Sequence, residues 1–290
     1  MTAFQHIWDP LLIGPFLWFA GIAGMTSVAY VLLKWLGVEE RRRELSIVIF
    51  ISYILATAFV VADLARPWNV VNAITASISA GTFGITRSWM AVGIVLLFVG
   101  ILLSLLMVLR NVGVKTLRIL DGRWFDVIVA FIGIGVTVYS GFLIAAAPGI
   151  PFWNTALLPL LWIISASVCA LAVVKLFVHS LAPQVVARFG ISLDIAKILA
   201  LLAFISTALY GGSKAAQISA YALTYGQFAP TFWGGVMLIG VLIPLAIYAA
   251  TLKRDVRTLG IVAAVLALVG ALILRIVVLQ AGVFETPVPA

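Results

Sequence analysis

The chain has 290 residues, of which 64% are hydrophobic and only 10% charged, and its mean hydropathy is +1.23. That composition excludes a soluble globular domain and places the chain among integral membrane proteins. The net charge of +8 does not mark a nucleic-acid binder, because the basic residues sit in short connections between apolar runs.

The apolar runs are continuous rather than alternating, which argues against a transmembrane β-barrel. Runs long enough to cross about 30 Å of hydrocarbon fall at 11–36, 46–66, 88–110, 125–147, 156–178, 192–212, 231–251 and 258–281. The fold class is therefore an all-α integral membrane protein with eight transmembrane helices. The first span follows Pro10 with no Lys or Arg before it, and it is too long for the apolar region of a cleavable signal. It runs through Gly21, Ala23 and Gly24, small residues that let helices approach closely in lipid.

Charge fixes the expected orientation. The odd connections carry fourteen of the 18 Lys and Arg residues: Lys34 and Arg41–Arg43, then Arg110, Lys115, Arg118 and Arg123, then Lys175, Arg188 and Lys197, then Lys253, Arg254 and Arg257. The positive-inside rule turns these loops to the cytoplasm and leaves both termini outside a cytoplasmic membrane. The even connections are longer and less charged. Arg66–Arg87 has room for a short interfacial helix around Val70–Ser79. Pro148–Pro159 is rich in proline and aromatics, and the sixth connection (GGSKAAQISAYALTYGQFAP) is weakly polar. Elaboration of the outer face points to a partner there.

Cys169 is the sole cysteine, which excludes intrachain disulfides, iron–sulfur clusters and thiolate zinc sites; it reads as an inert buried thiol. His6 and His179 fall on opposite sides of the bilayer, an arrangement that does not suit haem ligation. No metal or haem is expected in this chain.

Ionisable groups within a span are expensive and are functional candidates by default. Asp63 lies near the outer end of the second span. Arg66, three residues on, shares its helix face and is placed to pair with it and hold its pKa low. Arg275 lies about 9 Å inside the eighth span and Tyr139 about 12 Å or less inside the fourth. One reading gathers Asp63, Arg66 and Arg275 around a polar pocket in the outer leaflet; the other makes them an ion-pair network locking helices. Ser88 and Trp89 open the third span, Asn154 and Thr155 open the fifth, and Lys214 stands alone in the sixth connection. On the inner half only Asp126 and Asp194, near helix starts, and Lys197 are found. The helix dipole accounts for both acids there, and they are too few to argue a proton wire.

Several strings carry a family likeness. DLARPWN (Asp63–Asn69) and TRSWMAVG (Thr86–Gly93) are followed by YSGFLIAAAPGIPFWNTALLPLLWIISA (Tyr139–Ala166), YGQFAPTFWGGVMLIGVLIP (Tyr225–Pro244) and LILRIVVLQAG (Leu272–Gly282). The chain resembles the NrfD family, which includes the membrane subunit of polysulfide reductase, over essentially its whole length. The resemblance implies two four-helix bundles: helices one to three in 1–120, helix four in 121–150, and helices five to eight in 151–290. It implies a quinone or quinol site in the outer leaflet, for menaquinone or a related quinone. A ferredoxin-like iron–sulfur subunit would dock on the outer face, with a molybdopterin catalytic subunit beyond it.

Among site residues the resemblance implies Tyr139 at the quinone and Asp63, Arg66 and Arg275 around it. Ser88, Trp89 and Asn154 join as further contacts. Phe16 stands where such members carry a first-span histidine. In the resulting scheme Tyr139 hydrogen-bonds a head-group carbonyl and Asp63 exchanges the proton. Proton translocation is left open. A secondary transporter is the rival class; it would show broken helices at matching places in both halves, and Pro244 has no counterpart in the third span. A purely structural anchor is a third reading.

Overall fold

The computed structural model describes residues 4–64, 89–252 and 257–285. In chain order the helices are α1 (Pro10–Trp35), α2 (Arg42–Ala62), α3 (Trp89–Val112), α4 (Arg123–Ala145), α5 (Leu157–Phe177), α6 (Pro183–Gly211), α7 (Lys214–Thr224), α8 (Thr231–Thr251) and α9 (Arg257–Gln280). All but the short α7 are long and apolar enough to span a membrane. The helix expected within 70–79, and the candidates Arg66 and Ser88, lie outside the described residues.

Helix starts follow local chemistry. Asp9 caps α1, its carboxylate accepting from Leu11 N at 2.8 Å, and Pro10 supplies a preset φ at the first position. Pro183 does the same for α6, so that helix starts nine residues before the expected 192. Gln184, Arg188, Asp194 and Lys197 had lowered the hydropathy of its first turns. They lie within the helix, and neither Asp194 nor Lys197 is near its start, which corrects the dipole account of Asp194. Lys197 is fully buried in a span rather than placed in a connection. α7 was not anticipated in the sixth connection. Its start is capped by Ser213, whose Oγ accepts from Ala216 N, and Ala215, Ala216, Ser219, Ala220 and Leu223 form its buried face.

α1 packs against α2, α4, α5 and α9. The crossing with α4 is close enough that a Cβ on Gly24 would collide with the Gly133 carbonyl and the Thr137 hydroxyl. Only glycine permits that approach. On α3, Phe98, Leu102, Leu105 and Leu109 are exposed along one stripe and form a lipid-facing side. α8 is π-helical over Thr231–Leu242 and becomes α-helical at Ile243, just before Pro244.

The two ends of the chain meet at one face, here the terminal face. Gln5 N donates to Gly282 O at 2.8 Å and the Trp8 ring stacks on Trp153 at 5.9 Å. The opposite face, which carries Lys34, Arg41–Arg43 and Arg110, is here the basic face. There Lys34 Nζ grips both oxygens of Asp126, at 2.7 and 2.8 Å, and Trp35 Nε1 donates to the same carboxylate at 3.1 Å. Glu40 ties the loop after α1 to the loop after α5 by accepting from His179 N and Ser180 N at 2.9 and 2.7 Å.

Asp126 is buried and its lysine nearly so, so removing the carboxylate strands a charge. Asp126→Asn is expected to destabilise the detergent-solubilised protein by about 2–3 kcal/mol, read as a drop in thermal melting temperature, with Lys34→Met/Asp126→Asn recovering part of the loss.

Candidate functional site

A cavity of about 280 Å³ opens in the terminal-face half, among α1, α2, α3 and α4. Trp8 and Ile13 contribute from the α1 end, Val60, Val61 and Asp63 from α2, Met90 to Ile101 from α3, and Tyr139 and Leu143 from α4. The α3 lining runs from Met90 to Ile101, a rise of about 17 Å along the helix. The shape is long and narrow, and the walls are apolar apart from Thr57, Asp63 and Tyr139. Thr57 already donates its hydroxyl to Tyr53 O at 2.9 Å. Asp63 and Tyr139 are therefore the side chains with polar capacity to offer an occupant.

Tyr139 lies about 9 Å below the α4 end and is 4% exposed. Its hydroxyl donates to no described residue. A glycine faces it across the cavity wall: a Cβ on Gly93 would overlap the phenol oxygen. Gly93 thus makes the space the Tyr139 tip occupies. Trp89, one turn earlier on α3, stacks on Phe142 at 5.0 Å with the rings 6° apart, and it does not line the cavity.

Asp63 follows the last residue of α2 and is half-buried. Its Oδ1 accepts from Asp9 N at 3.1 Å, joining the α2 end to the α1 start. Burial pushes its carboxyl above the ordinary carboxylate range; the Asp9 N–H opposes this and the Asp9 carboxylate adds to it. The direction among described residues is thus opposite to the lowering expected from an Arg66 pair, a contact outside the described residues.

The other sequence candidates lie elsewhere. Arg275 does not join Asp63, which corrects the expected shared pocket. It is fully buried where α9 meets α5 and α1: one guanidinium nitrogen donates to Ser165 Oγ at 3.0 Å and Ala271 O at 2.9 Å, and its carbon sits 5.5 Å over the Trp162 ring. Its Nε and other terminal nitrogen have no partner among the described residues. Phe16 is buried in the core and Asn154 is exposed in the connection after α4; neither lines the cavity. Lys214 is exposed at the start of α7. Thr155, beside Asn154, accepts from Leu157 N at 3.3 Å at the start of α5. Sequence reading did not single out Gly93 or Trp8. The Gly93 signal was a small residue one turn after Trp89 in an apolar helix.

Eight helices long and apolar enough to span a membrane, with an apolar cavity that two polar side chains line at the terminal face, define a multi-pass membrane protein. Residues 2–287 match the family described as "Polysulphide reductase, NrfD", and the chain belongs to that family. It is similar to the C subunit of polysulfide reductase from Wolinella succinogenes, 26% identical over 93% of this chain and 92% of the relative. It is also 30% identical to protein NrfD of Escherichia coli, over 55% of this chain and 53% of the relative. A protein NrfD homolog of Haemophilus influenzae is 25% identical over 54% of this chain and 52% of the relative.

An arginine buried with no carboxylate partner among the described residues is a stability burden that an apolar residue of similar length relieves. Arg275→Met is expected to leave the melting temperature unchanged or raise it, by up to about 2 kcal/mol in stability; a clear destabilisation would mean that the Ser165 and Trp162 contacts outweigh the burial.

Proposed function

We propose that this chain is the membrane subunit of a respiratory oxidoreductase complex and that the cavity between α1 and α4 binds a quinone or quinol. The observation that carries the reading is the convergence of Tyr139 and Asp63 on one long apolar cavity at the terminal face. The residues fit such a ligand: the walls of α2 and α3 take an isoprenoid tail, and the phenol, which has no partner among the described residues, offers the head group a hydrogen bond. A bound quinol supplies two electrons and two protons.

The chain's own residues do the rest. Tyr139 holds the head group by donating to an oxygen, a bond that strengthens as charge builds there. The apolar walls keep water from that oxygen. Asp63, at the end of α2 and half-exposed, takes the proton on its carboxylate and gives it to the terminal side. A carboxyl lifted by burial is better matched to a quinol proton near neutral pH than an ordinary surface acid. By the positive-inside reading the basic face is cytoplasmic and the terminal face external. Electrons leave through partners at the terminal face, proposed as an iron–sulfur subunit and, beyond it, a molybdopterin catalytic subunit. The exposed aromatics Tyr210, Tyr221 and Tyr225 on and beside α7 offer that docking surface its contacts. α3 runs unbroken from Trp89 to Val112, so no break answers Pro244 in the other half; this weighs against a transporter.

Quinol-analogue oxidation by the purified complex tests the site. Tyr139→Phe is expected to slow turnover about tenfold, the worth of one hydrogen bond to a developing charge, while the complex stays assembled; unchanged turnover removes Tyr139 from the mechanism. Gly93→Ala, which crowds the phenol without deleting it, should weaken binding of a quinone analogue. Asp63 works as a base, so wild-type turnover should rise as pH climbs through its elevated pKa, and that limb should vanish in Asp63→Asn.

A further inference from the structure

Helices α5, α6, α8 and α9 enclose ionisable groups that the proposed quinone site does not use. Asp194 and Lys197 are both fully buried. They lie three residues apart on α6 and so share one side of it. Asp194 is about 16 Å along α6 from Pro183, well inside the membrane. Neither of its carboxylate oxygens has a partner among the described residues. Lys197 Nζ reaches the Gly240 carbonyl at 3.5 Å and no carboxylate. Pro244, four residues after Gly240, has no N–H to give that carbonyl.

A bare carboxylate and a bare ammonium cannot stay side by side in hydrocarbon without water or a proton to satisfy them. A crevice lies on the side of α6 toward the basic face from the pair. It is lined by Lys175, Pro183, Val186, Tyr248, Thr251 and Gly260. Its volume of about 10 Å³ is on the scale of one water. The Tyr248 ring forms its inner wall and packs on Gly190, one turn of α6 before Asp194. The other charged and titratable groups around the pair are Cys169 and Lys175 on α5 and Arg275 on α9.

We propose that Asp194, with Lys197 as its counter-charge, is a proton-exchange site served from the basic face through the crevice at Tyr248. A hydronium at the crevice gives its proton to Asp194; an O–H bond forms on the carboxyl and neutral water is left behind. Release reverses the step. Lys197 stands three residues on as the counter-charge, and Tyr248 positions the water. The site stands whether or not the α1–α4 cavity binds quinone.

Labelling of the full complex in sealed vesicles by dicyclohexylcarbodiimide, which attacks protonated carboxyls in apolar surroundings, tests this, with peptide mass mapping as the readout. Asp194 should be labelled and the lysine-paired Asp126 should not. Labelling should fall about tenfold per unit of pH on the basic-face side once Asp194 is ionised, and it should ignore pH on the terminal side. Lys197→Met should raise labelling at a given pH, since the acid loses its cation. Ala187→Leu, which fills the crevice, should slow the response to a pH jump. Asp194→Asn controls for the labelled peptide; should it fail to fold, the wild-type sidedness and Lys197→Met still decide. An Asp194 that stays unlabelled at every pH, or that follows the terminal-side pH, overturns the proposal.

Discussion

Helix α1 can stand at the centre of this protein only because its backbone comes within contact of its neighbours. In lipid no hydrophobic force drives helices together, so association depends on close packing and on the polar groups that packing satisfies. Gly24 against Gly133 sets the α1–α4 distance. From that axis the rest is positioned. At one end Asp9 caps α1 and donates its N–H to Asp63, and Ile13 closes the cavity. In the middle Gly21 leaves room for the Arg275 guanidinium. At the other end Lys34 and Trp35 hold Asp126. One helix thus reaches the cavity, the buried cation and the basic-face ion pair.

The Asp63–Tyr139 cavity exists because two other helices yield to it. α3 turns a lipid-facing stripe outward and a glycine inward, and the phenol of α4 uses the space that glycine leaves. The N-terminal segment then lies over the terminal end, held by Gln5 to Gly282 and by the Trp8–Trp153 stack. An occupant would meet apolar walls along its length and two polar groups near its head. That division of labour suits a lipophilic molecule with a small polar head.

The spans were legible because hydrocarbon tolerates no other continuous backbone, and about twenty apolar residues leave an unmistakable run. Asp63 and Tyr139 were legible as costly residues near a boundary. Arg275 was legible too as a costly residue within a span, but counting residues from a helix end gives depth and not direction. Which neighbour a side chain faces depends on helix rotation, and a helix apolar all round, as α9 nearly is, carries little rotational signal. The same limit hid Gly93 and the separation of Phe16 from the cavity. The start of α6 was hidden for another reason. Its buried Asp194 and Lys197 lowered the hydropathy that marks a span, so residues in the membrane read as residues beside it.

Those groups fall into two sets with a fixed cation between them. Asp63 and Tyr139 belong to the terminal half, and Asp194 and Lys197 are approached from the basic face. Arg275 stands near the terminal end of α9, its guanidinium over Trp162 and two of its nitrogens without a partner among the described residues. In a medium of low dielectric a positive charge repels an approaching proton over many ångströms. The proton exchange proposed at Asp194 therefore lies, with Lys197, on one side of a guanidinium that no ordinary pH neutralises. Arg275 thus stands as a fixed positive charge between the two sets.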